Sequence, residues 1–242
     1  MRTERIEHPH PTAPLFQEKP AQVARNIPRW SNNKLQKLLG IRENPTELNY
    51  DRFKNFDVEF SSNEGLSAIY SYEGDVFVGL DAPSWSESDL EYAESRLLIM
   101  SGLYGVLHPS TRIQPYRLEM GGKLKIGQQS LYKFWGDTLT NYVNELLQQR
   151  SENILVNLAS KEYSDVLDFK QLSAKIIDIH FREWRKGEWK FITYNSKKSR
   201  GAMAKFIIKN RIENLEDLQS FDLDGYAYNV ELSSPGELFF TK

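Results

Sequence analysis

The amino-acid sequence predicts an α+β protein, a mixed α/β fold in which helices flank one central mixed sheet. Segments with the apolar spacing of a helix alternate with short runs rich in Val, Ile, Phe and Tyr that are typical of strands. The order of these segments does not follow a regular βαβ repeat. No internal repeat, long linker or low-complexity block divides the 242 residues. We therefore predict a single compact domain over residues 15–242, preceded by an extended or disordered segment at residues 1–14.

Helices are predicted from apolar spacing and from capping residues. The clearest helix covers residues 130–149, where Leu131 and Trp135 begin an apolar stripe on one face. An amphipathic pattern also begins at a capping Ser86 or Ser88 and ends near Gly102. Further helices are expected at residues 16–39, interrupted at Pro20 and Pro28 with a new start at Ser31, and at residues 46–56, 160–167, 197–212 and 214–221.

Strands are predicted where β-branched and aromatic residues cluster. Residues 66–72 and 76–80 are expected to form a hairpin, because the acidic residues around Gly74 between them are typical of a tight turn. Residues 174–184 and 188–195 are expected to form a second hairpin with a basic tip. Single strands are expected at residues 153–159 and 237–242.

Composition excludes several classes of function. The chain has no Cys, which rules out a disulfide scaffold, a thiolate metal site and a Cys nucleophile. No apolar run is long enough to cross a bilayer, and the first residues lack the apolar segment of a signal peptide, so we expect a cytoplasmic protein that does not bind membranes. The formal net charge of −2 argues against a general nucleic-acid coat but leaves room for a local basic face.

One loop, residues 102–120, carries an unusual density of groups that need specific partners. Tyr104, Gly105, Arg112 and Arg117 could bind phosphate, since backbone N–H groups of a tight turn and Arg side chains both suit that anion. The sequence Leu-Tyr-Gly-Val-Leu matches half of a helix-hairpin-helix turn, although Leu107 stands where a second Gly is required. The alternative is that Arg117 pairs with an acid such as Glu119 and braces the loop.

A second basic segment, residues 197–211, contains six cations and no acid. It could be a solvated helix face, or it could bind an anionic partner that relieves the repulsion between its charges. Acids that follow residue 212, from Glu213 to Asp224, could also neutralise it within the fold. The six cations are Lys197, Lys198, Arg200, Lys205, Lys209 and Arg211.

A third segment, residues 157–163, ends a predicted strand with Ser160, Lys161 and Glu162, a position where α/β proteins place active groups. We favour the simpler interpretation of Ser160 as a helix cap.

The sequence has no phosphate-binding Gly-rich loop, no nucleophile elbow and no zinc-protease motif. Its four His are scattered, which argues against a strong iron site.

Six longer motifs resemble, in order and spacing, the YaaA peroxide-stress protein family, over about residues 45–242. They read GDVFVGL, MSGLYGVLHPSTRIQPYRLEMG, LYKFWGD, NLASKEY, KKSRGAMAKFIIKNR and GYAYNVELSSPGELFF. Family members typically begin with a strand containing Ser-Pro-Ala-Lys. That element is not found here, where only TAPLFQEKPAQ looks familiar, so its absence is expected to alter the cleft or expose a sheet edge.

The resemblance implies a cytoplasmic protein that limits hydrogen peroxide damage and free iron, and that binds DNA in a basic cleft with a helix-hairpin-helix-like element. It implies DNA contacts, to duplex or junction DNA, within the loop and the basic segment. No cofactor and no metal site are expected, and a monomer is favoured. The candidate DNA-binding residues are Tyr104, Gly105, Arg112, Arg117, Lys197, Lys198, Arg200, Lys205 and Arg211.

The sequence leaves one rival function open, an enzyme that acts on a nucleotide-like or other anionic small molecule in the same cleft. Glu162, Asp75 or Glu119 would then serve as acid or base. If DNA is the ligand, binding should weaken steeply with salt, because neutralised phosphates release counterions. Loss of Arg117 or Lys198 should then flatten that salt dependence by roughly one unit each.

Overall fold

The computed structural model describes residues 1, 6–27, 33, 35–36, 43–61, 65–150 and 153–242. The chain forms two compact units, each assembled from three segments. The first unit comprises Met1–Ser71, Leu98–Val143 and Ser160–Gln171, and the second comprises Tyr72–Leu97, Asn144–Ala159 and Leu172–Lys242. The mixed α+β class is confirmed, since helices and sheets both occur. The division into residues 1–14 and a single domain over residues 15–242 stays a prediction.

The described elements have the following bounds in chain order. The helices are α1 (Glu18–Asn26), α2 (Glu43–Lys54), α3 (Ala68–Ser71), α4 (Asp75–Leu80), α5 (Glu87–Glu94), α6 (Leu131–Gln148), α7 (Lys161–Ser164), α8 (Thr193–Lys209) and α9 (Leu215–Leu218). The strands are β1 (Leu66–Ser67), β2 (Ile99–Ser101), β3 (Gly105–Leu107), β4 (Arg112–Ile113), β5 (Lys125–Ile126), β6 (Gln129–Ser130), β7 (Ile154–Asn157), β8 (Lys175–Arg185), β9 (Glu188–Lys190), β10 (Ala227–Tyr228) and β11 (Glu237–Thr241). No described helix has the length and apolar character needed to cross a bilayer.

A five-stranded mixed sheet is the centre of the second unit. Its strand order is β10-β11-β8-β7, and β9 extends it by pairing with the far end of β8. β8 runs parallel to both β7 and β11, while β9 and β10 are antiparallel to their neighbours. Alternate residues of a strand point to opposite faces, so β8 divides into an apolar face and a polar face. Ile177, Ile179 and Phe181 are buried on the apolar face with Met203 of α8.

The predicted basic hairpin is confirmed, but its second strand is shorter than residues 188–195, because β9 ends at Lys190 and helix α8 begins at Thr193. β8 ends at Arg185 and β9 begins at Glu188, which leaves Lys186 and Gly187 as the turn. Both turn residues have positive φ, 53° and 83°. Two-residue hairpin turns with positive φ at both positions match the right-handed twist of the strands, and Gly meets that requirement without strain.

The amphipathic helix predicted at residues 130–149 is confirmed as α6, which lies in the first unit as far as Val143. Leu131, Trp135 and Leu139 are fully buried. The apolar stripe continues through Val143 to Leu147, which is buried, while Leu146 is half-buried. The Trp135 indole donates a hydrogen bond to the Gly102 carbonyl at 3.1 Å, which satisfies its only polar atom in the core.

The hairpin predicted for residues 66–80 is wrong. Only Leu66–Ser67 is a strand, and Ala68–Ser71 and Asp75–Leu80 are helical. Short apolar runs do not distinguish a buried strand from a buried helix by periodicity. Tertiary packing favours the helix over the strand here, because Gly79 of α4 lies directly against the backbone of α8 near Lys198.

The amphipathic helix predicted to end near Gly102 is also shorter than expected. Ser86 does cap α5, in a capping box with Asp89, but the helix ends at Glu94. Residues 99–107 then form an antiparallel hairpin of β2 and β3. The helix-hairpin-helix turn is therefore not confirmed, since Gly105 begins a strand.

Several smaller predictions have clear outcomes. The helix predicted to begin at Ser31 lies largely outside the described residues. The strand at residues 153–159 exists as β7, but it is half-buried because it is a sheet edge. Ser160 occupies the N-cap of α7, although its side chain makes no capping hydrogen bond. Thr12, in the segment expected to be extended or disordered, pairs with Thr111 in an isolated parallel bridge.

Candidate nucleic-acid interface

The polar groups of the loop in the first unit bind mainly to one another. Tyr104 is 1% exposed, and its hydroxyl accepts a hydrogen bond from the Gln114 backbone N–H at 2.9 Å. The hydroxyls of Ser101 and Tyr116 are 2.6 Å apart, and Ser101 also accepts from the Tyr104 N–H. Burial raises the pKa of Tyr104, so its hydroxyl stays protonated. Tyr104 has no surface to offer DNA.

Gly105 is likewise a packing residue. It has a φ of 77°, and a Cβ placed on it would lie 2.7 Å from the Trp135 ring and 2.9 Å from Leu139. Both the backbone conformation and the space require glycine at this position. Gly105, the glycine of the half-motif, therefore allows β3 to pack closely against helix α6.

We predict that Tyr104→Phe lowers the free energy of unfolding by about 1–2 kcal/mol, because it leaves the Gln114 N–H without its acceptor. Urea denaturation measures this loss, and DNA affinity should not change. Tyr194→Phe, which removes an exposed hydroxyl, is the matched control and should leave stability unaltered. A large drop in DNA affinity for Tyr104→Phe at unchanged stability would contradict the structural role.

The two Arg of the loop differ in their surroundings. Arg112 is half-buried in β4, where its backbone N–H donates to the Thr12 carbonyl. Arg117 is exposed, and its Nε lies 3.9 Å from a Glu119 carboxylate oxygen. Glu119 also accepts a hydrogen bond from the Tyr163 hydroxyl at 2.7 Å. Arg117 thus takes part in a brace through Glu119 and still presents charge to solvent.

Helix α8 and the residues after it carry cations of two kinds. Some of them are neutralised within the second unit by acids close in space. Lys205 pairs with Asp81 at 2.7 Å, and Lys209 and Arg211 both pair with Asp89, at 3.2 and 2.9 Å. Most of these acids precede the basic segment in sequence, contrary to the expectation that acids after residue 212 would pair with it. Lys198 meets that expectation, pairing with Asp224 at 3.0 Å.

Asp89 shows that these pairs are structural. Its side chain is 9% exposed and also closes the capping box with Ser86. Burial alone would raise the pKa of Asp89, but hydrogen bonds from Ser86, Arg211 and Lys209 outweigh burial and lower it. The carboxylate is therefore ionised in the fold, and Lys209 and Arg211 are held as its partners.

The remaining cations gather at the polar face of β8. The guanidinium carbons of Arg182 and Arg200 lie 5.5 and 6.0 Å from the centroid of the Phe191 ring. Neither guanidinium forms an ion pair with a residue in the described part of the chain. Arg200 is half-buried, and its burial is the main cause that lowers its pKa. The charge of Arg182 lowers the pKa further, whereas the charge of Asp178 raises it. Two like charges therefore share one aromatic ring.

Lys197 adds a third cation, exposed one helical turn before Arg200. Arg182 and Phe191 are absent from the residues predicted from sequence. The signal for Arg182 is the alternation along β8, where Asp178, His180 and Arg182 fall on the face opposite the core. We name Arg182, Phe191, Lys197 and Arg200 the basic–aromatic surface. All four belong to the second unit.

Comparison with known proteins identifies the family. The family model described as "Peroxide stress protein YaaA" matches residues 1–232. The chain belongs to the YaaA peroxide stress protein family. The resemblance noted from motifs over about residues 45–242 thus extends to residue 1, despite the divergent start.

Relatives of this YaaA family chain match most of its length. It is 42% identical over 231 residues to "UPF0246 protein lpl1317" of Legionella pneumophila (strain Lens), covering 95% of this chain and 90% of that protein. It is 39% identical over 232 residues to a "UPF0246 protein" of Francisella philomiragia, covering 96% and 91%. It is 38% identical over 234 residues to "UPF0246 protein Bpet1601" of Bordetella petrii, covering 96% and 91%.

Proposed function

We propose that this peroxide stress protein protects the cell by binding DNA, and that the basic–aromatic surface grips the phosphate backbone. The observation that carries the proposal is the pair Arg182 and Arg200, which face one ring without an ion-pair partner among the described residues. The two guanidinium groups repel each other, and the charge of Asp178 offsets this repulsion only in part at Arg200. A phosphate between them would relieve the repulsion through charge-assisted hydrogen bonds. Backbone contacts of this kind bind DNA with little sequence preference.

The effect on free iron is proposed to be indirect. The chain has no Cys to supply a thiolate, and its four His are scattered in sequence. Shielding of DNA from iron-driven oxidation needs no iron site in the protein. Tight stoichiometric binding of Fe(II) by the purified protein would refute this part of the proposal.

A second candidate function is an enzyme or binding protein for an anionic small molecule. It is favoured by a cavity of about 420 Å³ in the second unit, which has Arg96, Arg150 and Glu213 among its lining residues and several apolar side chains beneath. Arg96 and Glu213 are paired at 3.0 Å, and Arg150 donates to the Ser95 carbonyl. Isothermal titration with nucleoside phosphates tests this candidate, and turnover of a bound nucleotide would favour it over DNA binding.

The DNA proposal predicts which Lys of α8 matters. Lys197→Gln should weaken duplex binding at low salt and flatten the slope of log affinity against log salt by roughly one unit. Lys205→Gln makes the same charge change on the same helix, but Lys205 is already paired with Asp81, so its effect should be much smaller. Fluorescence anisotropy on duplex and junction DNA from about 50 to 200 mM salt measures both.

The same titration tests the loop of the first unit. Arg117→Gln should reduce the slope only if Arg117 contacts phosphate in addition to Glu119. If Lys197→Gln and Lys205→Gln lose the same amount of DNA affinity, the ion pairs do not determine which cations contact DNA. No shift of duplex or junction DNA by micromolar wild-type protein at about 50 mM salt would refute DNA binding.

A further inference from the structure

The β8–β9 hairpin exposes large aromatic side chains that the core does not use. Trp184 is 54% exposed and Trp189 is 36% exposed. Phe191 and Tyr194, which follow β9, are 47% and 59% exposed. Exposed apolar side chains that form a contiguous patch mark interaction sites, whereas singly scattered ones are normal.

The two Trp form one surface because of the strand register. Trp184 and Trp189 are directly opposite each other, so their side chains project from the same side of the hairpin. Their ring centroids are 5.0 Å apart and the rings are inclined at 71°. Arg182 lies two residues before Trp184 and therefore on the same face. The Trp pair is thus continuous with the basic–aromatic surface.

The hairpin holds this pair on a rigid support. The turn has two residues, and the Trp184 backbone N–H donates to the Lys242 carbonyl at 2.8 Å. Glu183, the neighbour of Trp184, is buried on the opposite face and accepts two hydrogen bonds from Arg185. Rings fixed on a strand lose little conformational freedom on binding, which favours stacking on a flat ligand.

Charge around the rings selects an anionic ligand. Lys186 at the turn is exposed and forms no ion pair with a described residue. Arg182 and Arg200 flank Phe191 at the other end of the surface. Sheet faces that combine aromatic rings with cations are typical platforms for single-stranded nucleic acids, because bases stack on the rings while cations hold the backbone.

We propose that Trp184 and Trp189 stack on unpaired bases of a single-stranded nucleic acid whose phosphates lie along Arg182 and Arg200. This inference rests on the proposed DNA binding and specifies its substrate as nucleic acid with unpaired bases. In a duplex the bases are stacked on one another, so the Trp pair has access to them only at a gap, junction or single-stranded stretch. Arg182 and Arg200 contribute to both kinds of substrate.

The test compares a labelled 20-nucleotide single-stranded DNA with a blunt duplex of the same sequence by fluorescence anisotropy. We expect wild-type protein to bind the single strand more tightly. Trp184→Leu and Trp189→Leu should each weaken single-strand binding by about tenfold. Neither variant should change duplex affinity by more than about twofold, since backbone contacts do not involve the rings. Trp184→Phe, which keeps a ring, should retain most of the single-strand affinity.

Two controls keep the result interpretable. Val230→Ala shortens another exposed apolar side chain of the second unit and should leave both affinities unchanged. Both Trp side chains are exposed, so the Leu variants should unfold at the same temperature as wild type, and each variant is checked for this. Quenching of Trp fluorescence by the single strand, lost in the Trp184→Leu/Trp189→Leu double variant, reports stacking directly.

The possible outcomes separate this inference from the proposed function. Single-stranded RNA of the same sequence should also bind, and the Leu variants should weaken its binding to the same extent. That result supports stacking on unpaired bases. If the protein binds duplex DNA and the Leu variants bind the single strand as tightly as wild type, the inference is overturned but the proposed DNA binding stands. Absence of binding to every nucleic acid overturns both. Binding to anionic lipid vesicles alone, lost in the same variants, assigns the hairpin to a membrane surface and overturns the inference.

Discussion

Replacing Gly201 with alanine is expected to lower the free energy of unfolding by about 3 kcal/mol. Gly201 lies in α8, where a Cβ would be 2.6 Å from the Leu80 backbone nitrogen and 2.8 Å from the Val76 carbonyl carbon. These atoms belong to helix α4, and a Cβ placed on Gly79 of that helix would likewise lie 2.8 Å from the Lys198 carbonyl carbon and 3.0 Å from the Ala202 nitrogen of α8. The neighbours are backbone, so the two helices must separate and lose contacts along their whole length.

Gly136→Ala provides the matched control for this prediction. Gly136 is also in a helix, α6, but a Cβ there would have only an ordinary contact, 3.6 Å from the Val166 carbonyl oxygen. Alanine has a higher helix propensity than glycine, so this variant should be unchanged or more stable by up to about 1 kcal/mol. Thermal unfolding should show a decrease of roughly 6–12 °C for Gly201→Ala and none for Gly136→Ala. Equal behaviour of the two variants would contradict the close packing of α4 and α8.

Replacing Glu183 with glutamine is expected to cost roughly 3 kcal/mol of stability at pH 7. Glu183 is 2% exposed, and its carboxylate accepts hydrogen bonds from Arg185, Asn195 and Tyr226. Burial raises its pKa, but these hydrogen bonds and the charge of Lys242 outweigh burial and lower the pKa from 4.5 to about 2. A separation of about 2.5 between the unfolded and folded pKa values corresponds to that free energy.

The pH dependence of Glu183→Gln gives the sharper test. The folded pKa lies below the unfolded pKa, so the stabilisation is complete above about pH 5 and is lost as the pH falls towards 2. Gln resembles the protonated carboxyl, so variant and wild type should converge in stability at the acid end. Urea denaturation at pH 7, 5 and 3 measures the convergence. A constant difference at all three values would show that packing, and not charge, explains the loss.

Glu188→Gln is the control within the same hairpin. Glu188 pairs with Lys190 at 2.9 Å, but the two side chains are 67% and 41% exposed, so water reaches the pair. Exposed ion pairs contribute little because water screens them and because ordering two long side chains costs entropy. This variant should change stability by less than about 0.5 kcal/mol at every pH.

The elements predictable from sequence are those with a long or self-contained signal. The stripe that begins at Leu131 identified α6 because it repeats over several turns, and Lys186-Gly187 identified the hairpin because its turn chemistry is local. Residues 76–80 were misassigned as a strand because five apolar residues fit either structure. Their helical form depends on Gly79, whose role is visible only against α8.

The candidate site was predictable only in part, and for a similar reason. The density of cations in residues 197–211 is a local property, and so is the capacity of Arg and Lys side chains to bind phosphate. Which cations are available depends on distant acids. Lys205 and Arg211 are neutralised by Asp81 and Asp89, more than a hundred residues earlier in the chain. Tyr104 was a candidate because it lies in the Leu-Tyr-Gly-Val-Leu half-motif, but packing places it in the core.

Residue order alone is enough to predict the α+β class, the amphipathic helix α6, the basic hairpin and membership in the YaaA family. These features depend on residue order along a short stretch, or on motifs long enough to be specific. The folded structure is needed to see which charges are paired, which glycines are packing residues, and that Arg182 joins Arg200 at Phe191. Those properties depend on distances between residues far apart in the chain, and electrostatic and packing energies follow distance in space rather than separation in sequence.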